Sequence, residues 1–360
     1  MTHNEIRYLR LHNLLISDQR FETVADAVRW LGAVQAQDYA GTKWSLALRT
    51  KENREADVEK AISDKVIVRT WPMRGTLHFV AAEDAHWILK LLAPRIIAGS
   101  AGRHRQLELN EKIFSQSHEL LISALKGGKQ LSRGEIYALL ENAGISTAGQ
   151  RGIHIVGHLA RKQILCHGIH NDKQPTYALL DEWVPNPRIL DESESLAEIA
   201  FRYFASHGPA TLNDFVWWTG LKISDAKKGL NAVSHKLESI EVQSITYWHS
   251  PANVDLTSEN KTFLLPGFDE YMLGYTDRSL ILDKLHAGKI VPGNNGMFMP
   301  TIIVDGKVEG TWKKVIKKDT LQLDMYPFGK ITQVKKRQVE NQARKFSEYL
   351  DKNLSQINWL

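Results

Sequence analysis

The length, composition and charge of the chain exclude several classes of protein. Its 360 residues, 43% of them hydrophobic, are enough for two to four domains with hydrophobic cores. The net charge of +5 is compatible with a polyanionic partner but is far below that of a strongly basic nucleic-acid-binding arm. The single cysteine, Cys166, excludes an intramolecular disulfide framework and a multi-cysteine zinc site.

The apolar runs of the sequence are short. The start of the chain, from Met1 to Arg10, is polar and does not lead into the long apolar core of a secretory signal. Runs such as Trp87 to Leu92 are too short to cross a bilayer. We therefore expect a protein without membrane segments that lies in the reducing cytoplasm.

The first predicted region covers residues 1–123 and combines helices with short strands. Hydrophobic spacing predicts helices over residues 5–16, 24–31 and 56–63, and a further helix that begins at residue 83. Strands are predicted over residues 44–48, 66–70 and 75–80, the last two joined around Pro72. Helices closed by a short antiparallel pair are typical of a winged-helix module.

Two glutamines, Gln35 and Gln37, follow the end of the second predicted helix at Gly32. On an extended backbone their side chains would project side by side, because strand side chains alternate with period two. Paired amides can bind one water or one polar ligand from two directions. A structural alternative stays open, in which both glutamines cap the helix end or bridge to a neighbouring strand. We expect Asp38 to hold the loop or cap a turn, unless a backbone bend lets it reach the same water.

The block that begins at Arg69 offers two guanidiniums and an indole. Arg69 and Arg74 are candidates for binding backbone phosphates, and Trp71 is a candidate for supporting a pocket or stacking on a base. The alternative is a structural hairpin whose arginines pair with Asp269 and Glu270. We expect these two carboxylates to brace a domain interface.

Three histidines are candidates for a functional role, but the sequence favours structural roles for them. His78 lies on a predicted strand, and we expect a partly buried histidine with its hydrogen bonds satisfied. Cys166, His167 and His170 supply three possible metal ligands without a fourth ligand or a nearby carboxylate. We therefore predict no metal site.

The second and third regions, residues 124–190 and 191–255, resemble a loose internal repeat. A capping box begins a helix in each region, formed by Ser132 with Glu135 and by Thr211 with Asp214. Second helices and β-like pairs follow in each region, predicted over residues 151–162, 164–167, 176–180, 224–235, 237–242 and 245–249. Helix, helix and hairpin in that order predict one winged-helix module in each region.

The fourth region, residues 256–360, changes to strand signals separated by Gly, Pro and Asn. Strands are predicted over residues 262–265, 297–304, 307–312 and 320–326, and a basic amphipathic helix over residues 334–354. Asp305-Gly306 is a strong two-residue hairpin signal. The fold class expected for the whole chain is α+β, with tandem winged-helix modules (helix-turn-helix) and a C-terminal β-rich, barrel-like domain.

Three motifs occur in a specific order along the chain. They are Q-A-Q-D from Gln35, R-T-W-P-M-R-G-T-L-H from Arg69, and L-P-G-F-D-E-Y-M-L-G-Y-T-D-R-S from Leu265. Together they resemble the AlkZ/YcaQ winged-helix DNA glycosylase family over nearly the whole chain. The catalytic motif of that family is Q-x-Q or Q-x-D, and this chain carries Q-x-Q. The resemblance implies that Gln35 and Gln37 are the catalytic residues.

Two neutral amides fit only some glycosidic substrates. Glutamine is a poor general base, but its carbonyl can orient a water and its amide can donate to a sugar or phosphate oxygen. An N7-alkylguanine already carries positive charge and departs as a neutral base, so the protein need only place the water and stabilise an oxocarbenium-like transition state. The resemblance therefore implies a monofunctional DNA glycosylase for alkylated purines, with interstrand crosslinks among the candidate substrates.

The expected partner is double-stranded DNA with alkylated bases, bound by a monomer without cofactor or metal. Basic residues are spread along the chain rather than clustered, and Arg151, Lys228 and Lys313 are candidate DNA contacts in addition to those named above. The resemblance implies that several modules together form a concave basic surface. The alternative function is a non-catalytic winged-helix transcription regulator, which would need a sequence-reading helix and preferably a dimer.

Overall fold

The computed structural model describes residues 1–17, 20–52, 54–171, 174–251 and 262–360, which form a mixed α+β fold. The α-helices of this part of the chain are α1 (His3–Asn13), α2 (Val24–Leu31), α3 (Tyr39–Ala47), α4 (Glu55–Ser63), α5 (Ala85–Gly99), α6 (Ala101–Gln106), α7 (Glu111–Leu125), α8 (Arg133–Asn142), α9 (Arg151–Arg161), α10 (Leu180–Trp183), α11 (Glu192–His207), α12 (Leu212–Thr219), α13 (Ile223–Val233), α14 (Glu270–Leu273), α15 (Ala287–Ile290) and α16 (Gln333–Tyr349). The strands are β1 (Val34–Gln35), β2 (Ile67–Met73), β3 (Thr76–Ala81), β4 (Leu131–Ser132), β5 (Leu165–Asn171), β6 (Gln174–Leu179), β7 (Glu238–Val242), β8 (Ile245–His249), β9 (Thr262–Leu265), β10 (Thr301–Val304), β11 (Lys307–Lys317), β12 (Thr320–Pro327) and β13 (Asn353–Trp359).

A six-stranded antiparallel sheet joins the first two predicted regions. Its strand order is β1-β3-β2-β5-β6-β4, and the two hairpins meet where Arg69 of β2 pairs with His167 of β5. The two-residue strand β1 forms one edge of this sheet and pairs Gln35 with His78 of β3. The candidate catalytic segment is therefore fixed to a sheet that both regions build.

Local sequence signals account for several helix ends. Helix α2 ends at Gly32, whose φ of 77° is one that glycine tolerates and most residues avoid. The two predicted capping boxes, Ser132 with Glu135 and Thr211 with Asp214, are both present at the starts of α8 and α12. The second and third predicted regions each contain two helices followed by a hairpin, with β5–β6 in one and β7–β8 in the other.

The strand predicted over residues 44–48 is wrong, because this segment is the end of helix α3. Alternating polar and apolar residues suggested a strand, but every residue from Gly41 to Ala47 is buried, so the helix has no polar face to reveal its period. Lys43 satisfies its charge with Glu55 and Glu59. Ser45 donates to Asp269 at 2.6 Å, so a polar residue is accommodated in the interior.

The C-terminal region forms an open five-stranded sheet in the order β13-β12-β11-β10-β9. The predicted barrel-like closure is wrong for the described residues, since β9 and β13 lie at opposite edges of the sheet. The Asp305-Gly306 turn is confirmed, with φ values of 51° and 74° at the two positions. Strand β13 was not predicted: the chain leaves α16 at Tyr349 and returns parallel to β12. The proposed boundary between residues 255 and 256 lies outside the described residues.

Two buried tryptophans donate to backbone carbonyls of β9, and the one on α3, Trp44, thereby connects the C-terminal sheet to the first region. The indole nitrogen of Trp44 donates to the carbonyl of Leu264 at 2.8 Å, and that of Trp312 donates to the carbonyl of Leu265 at 2.9 Å. A second hydrophobic core lies where α5 and the helices from α11 to α13 pack together, and it includes Trp87 and Trp218. None of the helices in the described part of the chain is both long and apolar enough to cross a membrane.

Candidate active site

The two glutamines of the Q-x-Q motif lie between the end of α2 and the start of α3. Gln35 is only 6% exposed, whereas Gln37 and Asp38 are exposed. The carboxylate of Asp38 accepts from the backbone N–H of Gly41 at 3.1 Å and caps α3, which confirms the expected turn-capping role. The two amides therefore face different environments, one inside the protein and one at its surface.

Hydrogen bonds to three separate parts of the chain hold Gln35 in place. Its backbone N–H donates to Oε1 of Glu270 at 3.1 Å, and its carbonyl accepts from Oγ1 of Thr42 at 2.9 Å. Its side-chain Oε1 accepts from Nη2 of Arg74 at 3.1 Å. Because a guanidinium can only donate, this contact fixes the orientation of the amide and turns its Nε2 away from Arg74.

Gln37 has a weaker anchor on the neighbouring strand. Its Oε1 accepts from the backbone N–H of Leu77 at 3.4 Å, long for a hydrogen bond of this kind. A backbone N–H can only donate, so this amide is also fixed by its oxygen. Both glutamines thus have NH₂ groups directed away from their anchors, and each carbonyl keeps a second lone pair for a water.

Arg74 reaches Gln35 from the tip of the β2–β3 hairpin. Arg74 and Gly75 have φ values of 51° and 74°, as a two-residue hairpin turn between Met73 and Thr76 requires. Its guanidinium also donates to the carbonyl of Trp218. Burial lowers the pKa of Arg74, but an arginine remains a cation at neutral pH.

His78 completes the hydrogen bonding around Arg74. Its Nδ1 lies 3.0 Å from the carbonyl of Thr76, which can only accept, so Nδ1 carries the proton and Nε2 faces Nη2 of Arg74 at 3.2 Å. Burial and the positive charge of Arg74 lower the pKa of His78 to about 3. A buried, neutral histidine with satisfied hydrogen bonds agrees with the structural interpretation of this residue.

Arg69 and Trp71 lie inside the protein rather than on its surface. Nε and Nη2 of Arg69 both donate to the carbonyl of Ala36, at 3.1 and 2.7 Å, and burial lowers the pKa of the guanidinium to about 10. The indole of Trp71 is 7% exposed and packs on His167, with ring centroids 4.8 Å apart. Arg69 thus supports the backbone of the Q-x-Q segment and Arg74 supports the side chain of Gln35, whereas Trp71 packs within the sheet.

The structural alternative, in which the hairpin arginines pair with Asp269 and Glu270, is wrong for Asp269. Asp269 forms its ion pair with Arg49, at 2.9 and 3.0 Å, and both side chains are completely buried. Glu270 instead contacts Gln35, which lies 235 residues earlier in the chain. No spacing rule in the sequence connects these positions. The only signal is that Gln35 and Glu270 both belong to the three ordered motifs.

The other three candidate DNA contacts lie on separate elements. Arg151 begins α9, and its guanidinium donates to the carbonyls of Ser146, at 2.9 Å, and Leu107. Lys228 is exposed on α13, and Lys313 is exposed on β11. Both lysines are therefore exposed cations, and Lys228 also pairs with Asp225 at 3.2 Å, whereas Arg151 stabilises local backbone.

Cys166 and His170, two of the three possible metal ligands in the sequence, both pack against other parts of the protein. Cys166 is buried, and the ring of His170 stacks on Tyr39 with centroids 3.8 Å apart. Among the residues that the structure describes, no group of three or more His, Cys, Asp or Glu side chains could bind a metal ion.

Comparison with known proteins places most of the chain in one family. A sequence model of the family described as DNA glycosylase AlkZ-like matches residues 28–349. An interstrand DNA cross-link repair glycosylase of Streptomyces sahachiroi is 23% identical over 354 residues, covering 93% of this chain and 92% of the relative. The structure of the Streptomyces sahachiroi DNA glycosylase AlkZ superposes with a TM-score of 0.84 at 20% identity, covering 100% of both chains. The chain therefore belongs to the AlkZ-like DNA glycosylase family.

Proposed function

We propose that this DNA glycosylase is monofunctional and hydrolyses the N-glycosidic bond of cationic N7-alkylpurines in double-stranded DNA, including those in interstrand crosslinks. The observation that carries the proposal is the anchored pair of amides at Gln35 and Gln37. The relative named as an interstrand cross-link repair glycosylase supports the crosslink as a substrate. Family membership favours an enzyme over the alternative of a winged-helix regulator.

The proposed reaction needs little proton transfer. The bond between C1′ and N9 breaks, and its electron pair moves to the base, which neutralises the positive charge and leaves as a neutral purine. A water oxygen then bonds to C1′ of the sugar cation, and the surplus proton passes to solvent. No general base is required, so two neutral amides are chemically sufficient.

The two glutamines would divide the work of placing the water. Gln35 is fixed by Arg74 and provides a rigid reference, because its oxygen and both of its backbone groups are hydrogen-bonded. Gln37 is exposed and weakly anchored, so it can adjust to the substrate. A carbonyl oxygen with a free lone pair can accept from the water, and an NH₂ group can donate to a sugar or phosphate oxygen.

Tandem winged-helix modules are the proposed means of binding the duplex. The order of two helices followed by a hairpin in α8–α9 with β5–β6, and in α12–α13 with β7–β8, supports this architecture. Exposed lysines on these modules and on the C-terminal sheet would contact phosphates. A monomer that acts in the cytoplasm without cofactor or metal stays our prediction.

The test is excision of a defined lesion. We expect the purified protein to release 7-methylguanine from a duplex with one such base, leaving an abasic site that alkali cleaves to a single shorter strand. A matched unmodified duplex should give no product. If neither a 7-methylguanine duplex nor a crosslinked duplex is cleaved while binding persists, the proposal is wrong. Selection of a sharp consensus from random duplexes would then indicate a regulator.

The candidate DNA contacts predict a change in salt dependence. Replacement of Lys228 or Lys313 by alanine should weaken binding equally for all sequences and reduce the slope of log K against log salt by about 1, since each phosphate contact contributes about 0.9. Titration of a labelled duplex at several salt concentrations measures this slope. Lys51, an exposed lysine that pairs with Glu22, is the matched control, and its alanine variant should keep the wild-type slope. Unchanged slopes for both test variants would place the interface elsewhere.

A further inference from the structure

The carboxylate of Glu270 is completely buried and contacts three distant elements. Glu270 is the first residue of the short helix α14. Its Oε1 accepts the backbone N–H of Gln35 at 3.1 Å, and its Oε2 accepts the indole N–H of Trp218 at 2.9 Å. Nε2 of His207 lies 3.3 Å from the same Oε2. One side chain thus joins β1 to α11 and α12.

The two N–H groups that contact Glu270 require its side chain to act as a hydrogen-bond acceptor. A backbone N–H and an indole N–H can only donate, so both carboxylate oxygens must be free to accept. Burial alone would raise the pKa of Glu270, but the contact with His207, the positive charge of Arg74 and the indole of Trp218 lower it below its ordinary value. The side chain is therefore an anion in the interior of the protein.

Two side chains of opposite charge contact Gln35, one at its backbone N–H and the other at its side-chain oxygen. The anion of Glu270 accepts from its backbone N–H, and the cation of Arg74 donates to its side-chain oxygen. A buried charge is costly unless another charge and hydrogen bonds compensate it. Glu270 is the anion whose attraction stabilises the buried Arg74 guanidinium, so the loss of either residue weakens the contact of the other with Gln35.

We propose that Glu270 is a positioning residue for excision, which acts through Gln35 by fixing both the strand that carries this glutamine and the arginine that orients its amide. This inference rests on the proposed function. Glu270 does not reach the reacting atoms in this role. The N–H donors of Gln35 and Trp218 each use one of its two carboxylate oxygens. Replacement of Glu270 by glutamine would leave only one of these oxygens, so one hydrogen bond would be lost.

The direct test is Glu270→Gln under single-turnover conditions with enzyme in excess. An amide offers one acceptor oxygen instead of two, so the N–H of Gln35 or of Trp218 loses its partner. We expect the rate of 7-methylguanine release to fall by about 10- to 100-fold, while the Kd for the duplex stays within about twofold, since misplacement of a catalytic group lowers rate rather than affinity. A wild-type rate for a folded Glu270→Gln protein would overturn the inference.

A matched pair of tryptophan variants keeps the inference testable if Glu270→Gln does not fold. Trp218 and Trp44 are both almost fully buried, and each donates one indole hydrogen bond, to Glu270 and to Leu264 respectively. Both Trp218→Phe and Trp44→Phe should lower the free energy of unfolding, Trp218→Phe by more, because its indole donates to a charged carboxylate rather than to a neutral carbonyl. Only Trp218→Phe should slow excision, by about fivefold or more. Equal rates for the two variants would show that Glu270 has only a structural role.

The outcomes separate this inference from the proposed function. If the wild-type protein excises 7-methylguanine and the variants do so equally well, only the role of Glu270 is refuted. If the wild-type protein releases no base from either duplex, the proposed function fails first. Circular dichroism at the assay temperature confirms that each compared variant is folded.

Discussion

Replacement of both Gln35 and Gln37 by alanine is expected to reduce the rate of 7-methylguanine excision by at least about 100-fold, the usual loss when positioned hydrogen-bonding groups are removed from a catalytic site. The reason is that these two amides place the water against C1′ in the proposed mechanism. Release of the base from a singly modified duplex, measured in single-turnover assays, gives the rate. Binding of the same duplex should change little, because phosphates supply most of the affinity.

The two single variants should differ in stability although both lose activity. Gln35→Ala removes the acceptor of a buried guanidinium, and an unsatisfied buried donor costs about 1–3 kcal/mol. Gln37 is exposed, so Gln37→Ala should change the free energy of unfolding by less than about 0.5 kcal/mol. Gln37→Ala is therefore the cleaner test of catalysis. Wild-type excision by the double variant would rule out the amide mechanism.

The parts of the fold that the sequence predicted well have signals within a few residues. The capping boxes at Ser132 and Thr211 and the Asp305-Gly306 turn depend on residues no more than three positions apart, and all three are present. Helix α3 was misassigned because it is buried on every side, which removes the period that identifies a helix. Strand β13 was not predicted because it has no local sequence signal. It is a strand because it pairs in parallel with β12, more than thirty residues earlier in the chain.

The candidate site was predictable as a motif but not as a network. Asp38 lies next to the Q-x-Q motif, and its capping role followed from its position in a turn. The contact between Glu270 and Gln35 depends on tertiary folding alone. Arg74 could not be assigned to DNA or to the interior from its identity, since either environment suits a guanidinium. In the structure, the β2–β3 hairpin turn directs the side chain of Arg74 towards Gln35.

The largest expected loss of stability follows removal of Arg49. Its guanidinium is fully buried and donates to both oxygens of Asp269 and to the carbonyls of Leu14 and Ser45. In Arg49→Met the Asp269 carboxylate would stay buried without its counter-charge, which typically costs about 3–5 kcal/mol. Urea denaturation at neutral pH should show the midpoint shifted to a much lower concentration. A loss below about 1 kcal/mol would mean that water or another cation compensates Asp269.

Two comparisons isolate the buried charge as the cause. Lys51→Met removes an exposed lysine from its pair with Glu22 and should cost less than about 0.5 kcal/mol. Adding Asp269→Asn to Arg49→Met removes the uncompensated charge and should recover part of the lost stability. Asp269 also caps α14, whose first residue, Glu270, contacts Gln35. Loss of Arg49 should therefore slow excision even where most of the protein remains folded, because the anchor of the catalytic strand loses its own support.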